Sequence, residues 1–227
     1  MPTPILHKER LIPGKTSKLV LHAPQIAQKA RPGHFVMLRV SPTGERIPLT
    51  IADTDPAQGT ITIVYLVMGK TTAMLEELNQ GDAVLDVCGP LGHPTHIEKH
   101  GTVICVGGGT GIAAMHHIAK GHARVGNRVV GIIGARSKDL LLFEKELASF
   151  VDELLISTDD GSYGEKGFTT AKLEALIQAG EKFDEVIAVG PPMMMKFTCQ
   201  IAEKYGIHSV ASLTAYMIDG TGMCGGC

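Results

Sequence analysis

The sequence has no tryptophan, and its aromatic share is only 4%. A planar ligand bound here would find few rings to stack on. No apolar run approaches the roughly eighteen residues of a membrane span. The first ten residues, MPTPILHKER, lack the apolar stretch of a secretory signal. Neither charge sign dominates: 21 Lys and Arg stand against 23 Asp and Glu, leaving −2. That balance carries no electrostatic footprint for nucleic acid. Cysteines number five, an odd count that argues against a disulfide framework. The expectation is a cytoplasmic protein with no membrane or nucleic-acid partner.

What is present is an ordinary globular composition, 44% hydrophobic and 19% charged. The 227 residues suffice for one large or two ordinary domains, and glycine is abundant at 27. Two rhythms divide the chain. Up to about residue 98, short alternating or apolar runs (17–22, 34–40, 60–67, 83–87) are punctuated by Gly and Pro. That pattern predicts an antiparallel β barrel or sandwich. One helix interrupts it, expected over 71–78 with a Thr at its cap.

From residue 99 to about 214, apolar strands alternate with helices. Strands are expected at 102–106, 128–134, 153–157, 185–189 and 208–212, and helices at 112–122, 138–150, 169–179 and 192–204. Such alternation predicts a doubly wound parallel sheet. The fold class is therefore a β barrel followed by an α/β unit.

Several segments carry chemistry. Gly107-Gly108-Gly109-Thr110-Gly111-Ile112 follows a buried strand and opens a helix. A pyrophosphate needs such a turn, where backbone approaches closely and a helix N-terminus offsets charge. Gly190-Pro191-Pro192-Met193 lies at the carboxyl end of another strand, where ligands bind in open α/β sheets. Asp159 and Asp160 sit at the end of a third, suited to ribose hydroxyls or a metal, and Arg136 at the end of the second. In the β-rich half, Arg46-Ile47-Pro48-Leu49-Thr50 offers a guanidinium fork for phosphate and a hydroxyl for a ring nitrogen. Gly69-Lys70-Thr71-Thr72 starts a helix and presents backbone N–H groups and hydroxyls to an anion. The histidines, including His93, His96 and His100 and the pair His116 and His117, have no metal-ligand spacing and read as surface or packed residues.

The last nine residues run Asp219-Gly-Thr-Gly-Met-Cys224-Gly-Gly-Cys227. Plant-type [2Fe–2S] sites use C-x4-C-x2-C with a distant fourth Cys, and here an acid holds the first position. Two Cys at this spacing also occur in zinc knuckles and redox dithiols. Asp219, Cys224 and Cys227 are the candidate metal ligands.

Taken together, these motifs resemble the ferredoxin–NADP⁺ reductase superfamily. They stand in its order: Arg46–Thr50, Gly69–Thr72, the corner Gly89-Pro-Leu-Gly92, the glycine turn, and Val-Gly-Pro-Pro. Within it the chain is most similar to the small-subunit family of NADH-dependent reduced ferredoxin:NADP⁺ oxidoreductases, and is related to dihydroorotate dehydrogenase electron-transfer subunits. The resemblance implies an FAD-binding barrel (1–98), an NAD(P)-binding domain (99–214) and the start of a [2Fe–2S] segment (215–227) that continues beyond Cys227. It implies FAD held by Arg46–Thr50, by Ile63, Val64 and Tyr65, and by Gly69–Thr72, with Thr50 as the catalytic neighbour of flavin N5. NAD(H) is expected on Gly107–Ile112 and Gly190–Met193, with NADP(H) left open by Arg136. The cluster would pass single electrons to a larger flavin/iron–sulfur partner subunit, and through it to ferredoxin. Two departures stand out: Asp219 replaces a cluster Cys, and Val189 replaces the superfamily's Cys before Gly-Pro. Dihydroorotate, sulfide and hydrogenase complexes are alternative destinations for the electrons. A zinc-containing nucleotide-binding scaffold is the alternative of another class.

Overall fold

A computed structural model describes residues 2–226. The chain forms two compact units, Met1–Thr95 with Thr214–Cys227, and His96–Leu213. The segment after residue 213 therefore belongs with the first unit and does not stand alone. It lies against the sheet at Gly220, where a Cβ would sit 2.5 Å from Met37 Cγ and 3.2 Å from a Leu91 methyl.

The first unit holds β1 (Thr3–Ile12), β2 (Thr16–His22), α1 (Pro24–Lys29), β3 (Phe35–Arg39), β4 (Ile47–Asp55), β5 (Thr60–Leu66), α2 (Lys70–Glu77), β6 (Ala83–Val84) and β7 (Asp86–Leu91). The sheet order is β6-β1-β2-β5-β4-β3-β7, every pairing antiparallel. Its two edges, β6 and β7, are joined by Leu85 alone, so the sheet must curl until its ends nearly meet. Leu19, Leu21, Ile51, Ile61, Ile63 and Tyr65 fill the interior. Alternation along β2 and β5 puts all of them there except Ile51, which comes from β4.

Two strands of this unit lie outside the sequence expectations, and so does the short helix α1, since only one helix is expected there. β1 is mostly exposed and carries Lys8, Glu9 and Arg10, so it shows no apolar alternation. β4 contains Pro48, a residue that strands usually exclude. It runs Ile47–Thr50 along β3 and then Ile51–Asp55 along β5, with an irregularity between Ile51 and Asp53. The helix expected at 71–78 covers Lys70–Glu77 and is capped at Gly69, not at a Thr.

Glu76 pins α2 to the barrel. Its carboxylate accepts hydrogen bonds from Arg10 Nε, Ser17 Oγ and Tyr65 Oη, each at 2.8 Å, with Lys8 Nζ at 3.3 Å. Lys8 Nζ also donates to the Glu76 and Leu78 carbonyls at the end of the helix. Burial pushes the carboxyl pKa upward, but the bonds from Arg10, Ser17 and Tyr65 and the Lys8 charge outweigh it and hold it at about 2. Burial first, then the Glu76 bond, pushes the Tyr65 phenol up.

The second unit holds β8 (Thr102–Gly108), α3 (Gly111–Arg124), β9 (Arg128–Ala135), α4 (Glu144–Ala148), β10 (Glu153–Thr158), β11 (Glu165–Lys166), α5 (Thr169–Gln178), β12 (Glu185–Val189), α6 (Pro192–Lys204) and β13 (His208–Ala211). Its sheet is parallel throughout, in the order β11-β10-β9-β8-β12-β13. The chain winds outward from β8 to β11, then returns to the other side of β8 with β12. The switch point lies between β8 and β12. β8, β9 and β12 are apolar almost throughout, as strands covered on both faces must be.

The helix expected over 138–150 is broken. A 3-10 turn at Lys138–Leu140 and the short α4 flank a kink at Phe143, whose φ is 58°. Leu140 to Phe143 are four consecutive apolar residues, which one helix would spread around a full turn. Leaving the helix lets Leu142 and Phe143 bury together, Phe143 with its ring 5.1 Å from that of His116. Among the described residues no helix is long and apolar enough to cross a membrane.

The Glu76 cluster gives a pH-dependent prediction. A depressed carboxyl stabilises the fold fully above its ordinary value of 4.5, and that stability is lost as pH falls through about 2. Glu76→Gln is expected to cost on the order of 3 kcal/mol near neutrality. In urea unfolding followed by circular dichroism, the gap to wild type should shrink steadily between pH 5 and pH 2.

Candidate functional site

The two turns at the switch point are built on close backbone approach. A Cβ on Gly111 would lie 2.6 Å from Gly190 Cα and 2.7 Å from the Val189 carbonyl oxygen. One on Gly190 would lie 3.0 Å from Gly108 N and O. Gly107 and Gly108 leave room for the sulfurs of Met115 and Met194, each 2.7 Å from the missing Cβ. Gly109 differs: its φ is +55°, and a Cβ there would meet nothing within 4 Å. Its surroundings are open at the point where Thr110 and Gly111 start α3. A helix N-terminus beside an open glycine turn is an anion cradle.

Ile112 is fully buried and packs beneath Gly107, so it supports this turn and does not line it. Pro191, Pro192 and Met193 are exposed at the start of α6, while Met194 packs on the core and Met195 is buried. Pro192 takes the first helical position, where its missing N–H costs nothing.

The ends of β9 and β10 adjoin along the same edge. The N–H groups of Asp159 and Asp160 donate to the carbonyls of Ala135 and Arg136 at 3.1 and 3.2 Å. Asp159, Asp160 and Arg136 are all exposed. Ser162 bonds hold the Asp160 carboxyl below its usual range. Lys138 Nζ sits over the Tyr163 ring at 4.6 Å, and Asp139 accepts the Ser137 hydroxyl at 2.5 Å. Thr158 is consumed within the loop, where its hydroxyl donates to the Tyr163 carbonyl at 2.7 Å.

In the barrel unit, Arg46 precedes β4 and is exposed, its guanidinium 3.8 Å from the Asp86 carboxylate. Arg39 holds that carboxylate more closely, through Nε at 2.8 Å. Ile47, Pro48 and Leu49 are half-buried and Thr50 is exposed, paired with Phe35 across the ladder. Ile63 and Tyr65, expected as ligand contacts, point into the barrel core; only the half-buried Val64 faces the other way. At the start of α2, the Thr72 hydroxyl accepts from the Gly69 and Met68 N–H groups at 3.0 and 3.1 Å. Thr71 and Thr72 are buried, so this start offers main-chain N–H groups and Lys70, not the expected hydroxyls.

The tail loop organises around Asp219. Its carboxylate accepts from the N–H groups of Thr221, Gly222 and Cys224 at 2.9, 3.2 and 3.1 Å, and from the Thr221 hydroxyl at 2.9 Å. The Thr221 bonds lead, with Cys224 adding, in holding its carboxyl at about 2. Gly220, Gly222 and Gly225 have φ of 75°, 81° and 66°, which lets so short a loop coil on one side chain. The Cys224 thiol is exposed and accepts the Gly226 N–H at 3.4 Å. Cys227 lies outside the described residues. Among the described residues no group of three or more His, Cys, Asp or Glu is arranged to hold a metal.

A barrel with an anion-ready helix start and a parallel-sheet unit with a glycine switch point define a reductase of the two-unit type. Residues 105–200 match the oxidoreductase NAD-binding domain. The chain is 47% identical over 207 residues to a dihydroorotate dehydrogenase B (NAD(+)) electron transfer subunit homolog of Thermotoga maritima, covering 91% of this chain and 73% of that one. It is 37% identical to the dihydroorotate dehydrogenase B (NAD(+)) electron transfer subunit of Geobacillus thermodenitrificans, over 96% of this chain and 85% of that one. A solved structure of NADH-dependent reduced ferredoxin-NADP oxidoreductase matches with TM-score 0.93 and 43% identity, covering all of this chain and 81% of that one. The chain thus belongs to the ferredoxin–NADP reductase-like oxidoreductases, in the family of the dihydroorotate dehydrogenase B electron transfer subunits and their homologues.

The Gly111–Gly190 contact is testable. Gly111→Ala is expected to force the two turns apart and weaken NADH binding by roughly tenfold or more. Gly126→Ala, at φ +84° with open surroundings, should lower stability and leave that affinity unchanged. Fluorescence titration of NADH on both variants checks this.

Proposed function

We propose that this chain is an electron-transfer subunit that binds NAD(H), FAD and a [2Fe–2S] cluster and serves a larger flavin/iron–sulfur partner in an electron-bifurcating NADH-dependent ferredoxin:NADP⁺ oxidoreductase. When bound, FAD would supply hydride exchange with NADH and one-electron exchange with the cluster. The observation that carries the reading is the pair of glycine turns meeting backbone to backbone at the switch point, with Gly109 open beside them.

The chain's own residues have distinct tasks in this reading. Gly109, Thr110 and the start of α3 would take the dinucleotide pyrophosphate, with Gly190–Met193 alongside. Asp159 and Asp160 would accept hydrogen bonds from ribose hydroxyls, which favours NAD(H), and Arg136 beside them would suit a 2′-phosphate. Arg46 and the first N–H groups of α2 would hold the flavin pyrophosphate, and Glu76 keeps that helix in place. Thr50 is the exposed hydroxyl suited to flavin N5. Ile63 and Tyr65 would contribute main chain only, with the Val64 side chain against the ring.

For the cluster, the exposed Cys224 thiol and three coiling glycines fit an iron–sulfur loop. Asp219 brings a carboxylate already surrounded by N–H donors, the setting that steadies negative charge beside a cluster. Cys224, Asp219 and Cys227 would be its ligands from this stretch.

A second reading, electron delivery to a dihydroorotate-oxidising partner, is favoured by the names of the 47%- and 37%-identical relatives. The partner that copurifies from the native host separates the two. An absorption spectrum of anaerobically purified protein should show flavin bands and a broad red [2Fe–2S] absorbance, both bleached by NADH. Flavin without iron would sink the cluster assignment, and a colourless zinc protein would sink the redox reading. Thr50→Val is expected to slow flavin reduction by NADH in stopped-flow about tenfold or more with FAD content retained. Arg46→Gln should instead weaken FAD binding roughly tenfold.

A further inference from the structure

The far end of the parallel sheet holds a buried polar cluster that the dinucleotide site does not use. Glu185 opens β12 and is almost wholly buried. Its Oε2 faces His100 Nε2 at 3.6 Å and His122 Nε2 at 3.7 Å. All three atoms are closed to solvent and have no hydrogen-bond partner. Its Oε1 is 3.2 Å from Nδ1 of His208, the first residue of β13.

Asn127 decides the proton on His122. Its Oδ1 accepts from the N–H groups of His100 and Gly101 at 2.8 and 3.0 Å, and its Nδ2 donates to the Glu98 carbonyl at 2.8 Å. Those three bonds fix the amide orientation. The second Nδ2 hydrogen then points at His122 Nδ1, 3.1 Å away, which must accept it. A neutral imidazole accepting at Nδ1 carries its hydrogen on Nε2. That hydrogen faces Glu185. It also rules out a metal on His122 Nε2, because metal binding needs that nitrogen bare.

We propose that Asn127 locks His122 as its neutral Nε2–H tautomer and that the His122–Glu185–His100 cluster is an acid-sensitive latch at the base of the nucleotide-binding unit. Protonating His122 would set Nδ1–H against the Asn127 Nδ2–H and break the contact. The latch ties the last turn of α3 to Asn127, and through it to the amides leading into β8. The groups facing His122 are His100 before β8, Glu185 on β12 with His208 beyond it, and the neutral amide of Asn127. The Cys105 thiol on β8 is pushed up to about 12 by burial and then by the Glu185 charge, so it stays neutral. Asp184, beside Glu185, is engaged elsewhere by the Thr102 N–H at 2.7 Å.

Burial, then the His100 charge, lowers the His122 pKa from 6.5 to about 4. The folded state therefore refuses a proton that the unfolded chain accepts. Stability from this source is intact above about 6.5 and falls as pH drops toward 4.

Long-range ¹⁵N NMR of histidine-labelled full-length protein at pH 7 should show His122 protonated at Nε2 and bare at Nδ1, and still neutral at pH 5. The opposite tautomer, an imidazolium at pH 5, or a ring shift on adding one equivalent of Zn²⁺ would overturn the proposal. In urea unfolding followed on β12 resonances, the wild-type unfolding constant should rise between pH 8 and pH 5 by roughly thirtyfold more than that of His122→Gln. Equal pH dependence in the two proteins would also overturn it. If His122→Gln does not fold, the tautomer measurement decides alone.

Discussion

One constraint organises the nucleotide-binding unit: two main-chain turns occupy almost the same place. The turn after β8 and the turn after β12 approach to a distance at which no side chain fits between Gly111 and Gly190. Four of the glycines there are explained by crowding and the fifth, Gly109, by its left-handed φ and open surroundings. The contact exists because β12 returns to the far side of β8, leaving adjacent carboxyl ends whose following helices diverge. A crevice at that point follows from topology. The glycines determine how closely a charged ligand can come to the backbone within it.

The two ends of the same sheet have opposite characters. The ligand end is open main chain, with exposed Asp159, Asp160 and Arg136 at its border. The opposite end buries a carboxylate among histidines and closes itself with a single amide side chain. α3 runs from one to the other, starting at the glycine turn and ending at His122 and Arg124. In the barrel unit the ordering of α2 has a similar logic. Its first turn is left open by using Thr72 internally, and its last turn is tied down by Lys8 and Glu76. In both helices it is the last turn that side chains tie down.

Much of this was legible in the sequence where periodicity is strong. β2, β5 and the central parallel strands alternate or run apolar, and their positions follow. β1 and β4 escaped because one is a charged outer strand and the other contains a proline. The helix over 138–150 failed because Leu140–Phe143 is apolar without a period. Motif spacing found the glycine turns, whose function is local. The family resemblance placed Ile63 and Tyr65 beside the flavin, where strand alternation turns their side chains into the core, and the helix-start motif credited Thr71 and Thr72 with hydroxyls that the fold buries. His100, His122, Asn127, Glu185 and His208 form no motif at all. Over a hundred positions separate the first from the last, and only strand order brings them together.

The first unit is discontinuous in sequence: the chain leaves it at Thr95 and rejoins it at Thr214. During synthesis the barrel strands emerge first, and the whole parallel-sheet unit is made before Gly220 can reach Met37 on β3 and Leu91 on β7. The first unit therefore completes its own contacts only after the second has been made. The Asp219 loop, anchored through Gly220, cannot settle until then.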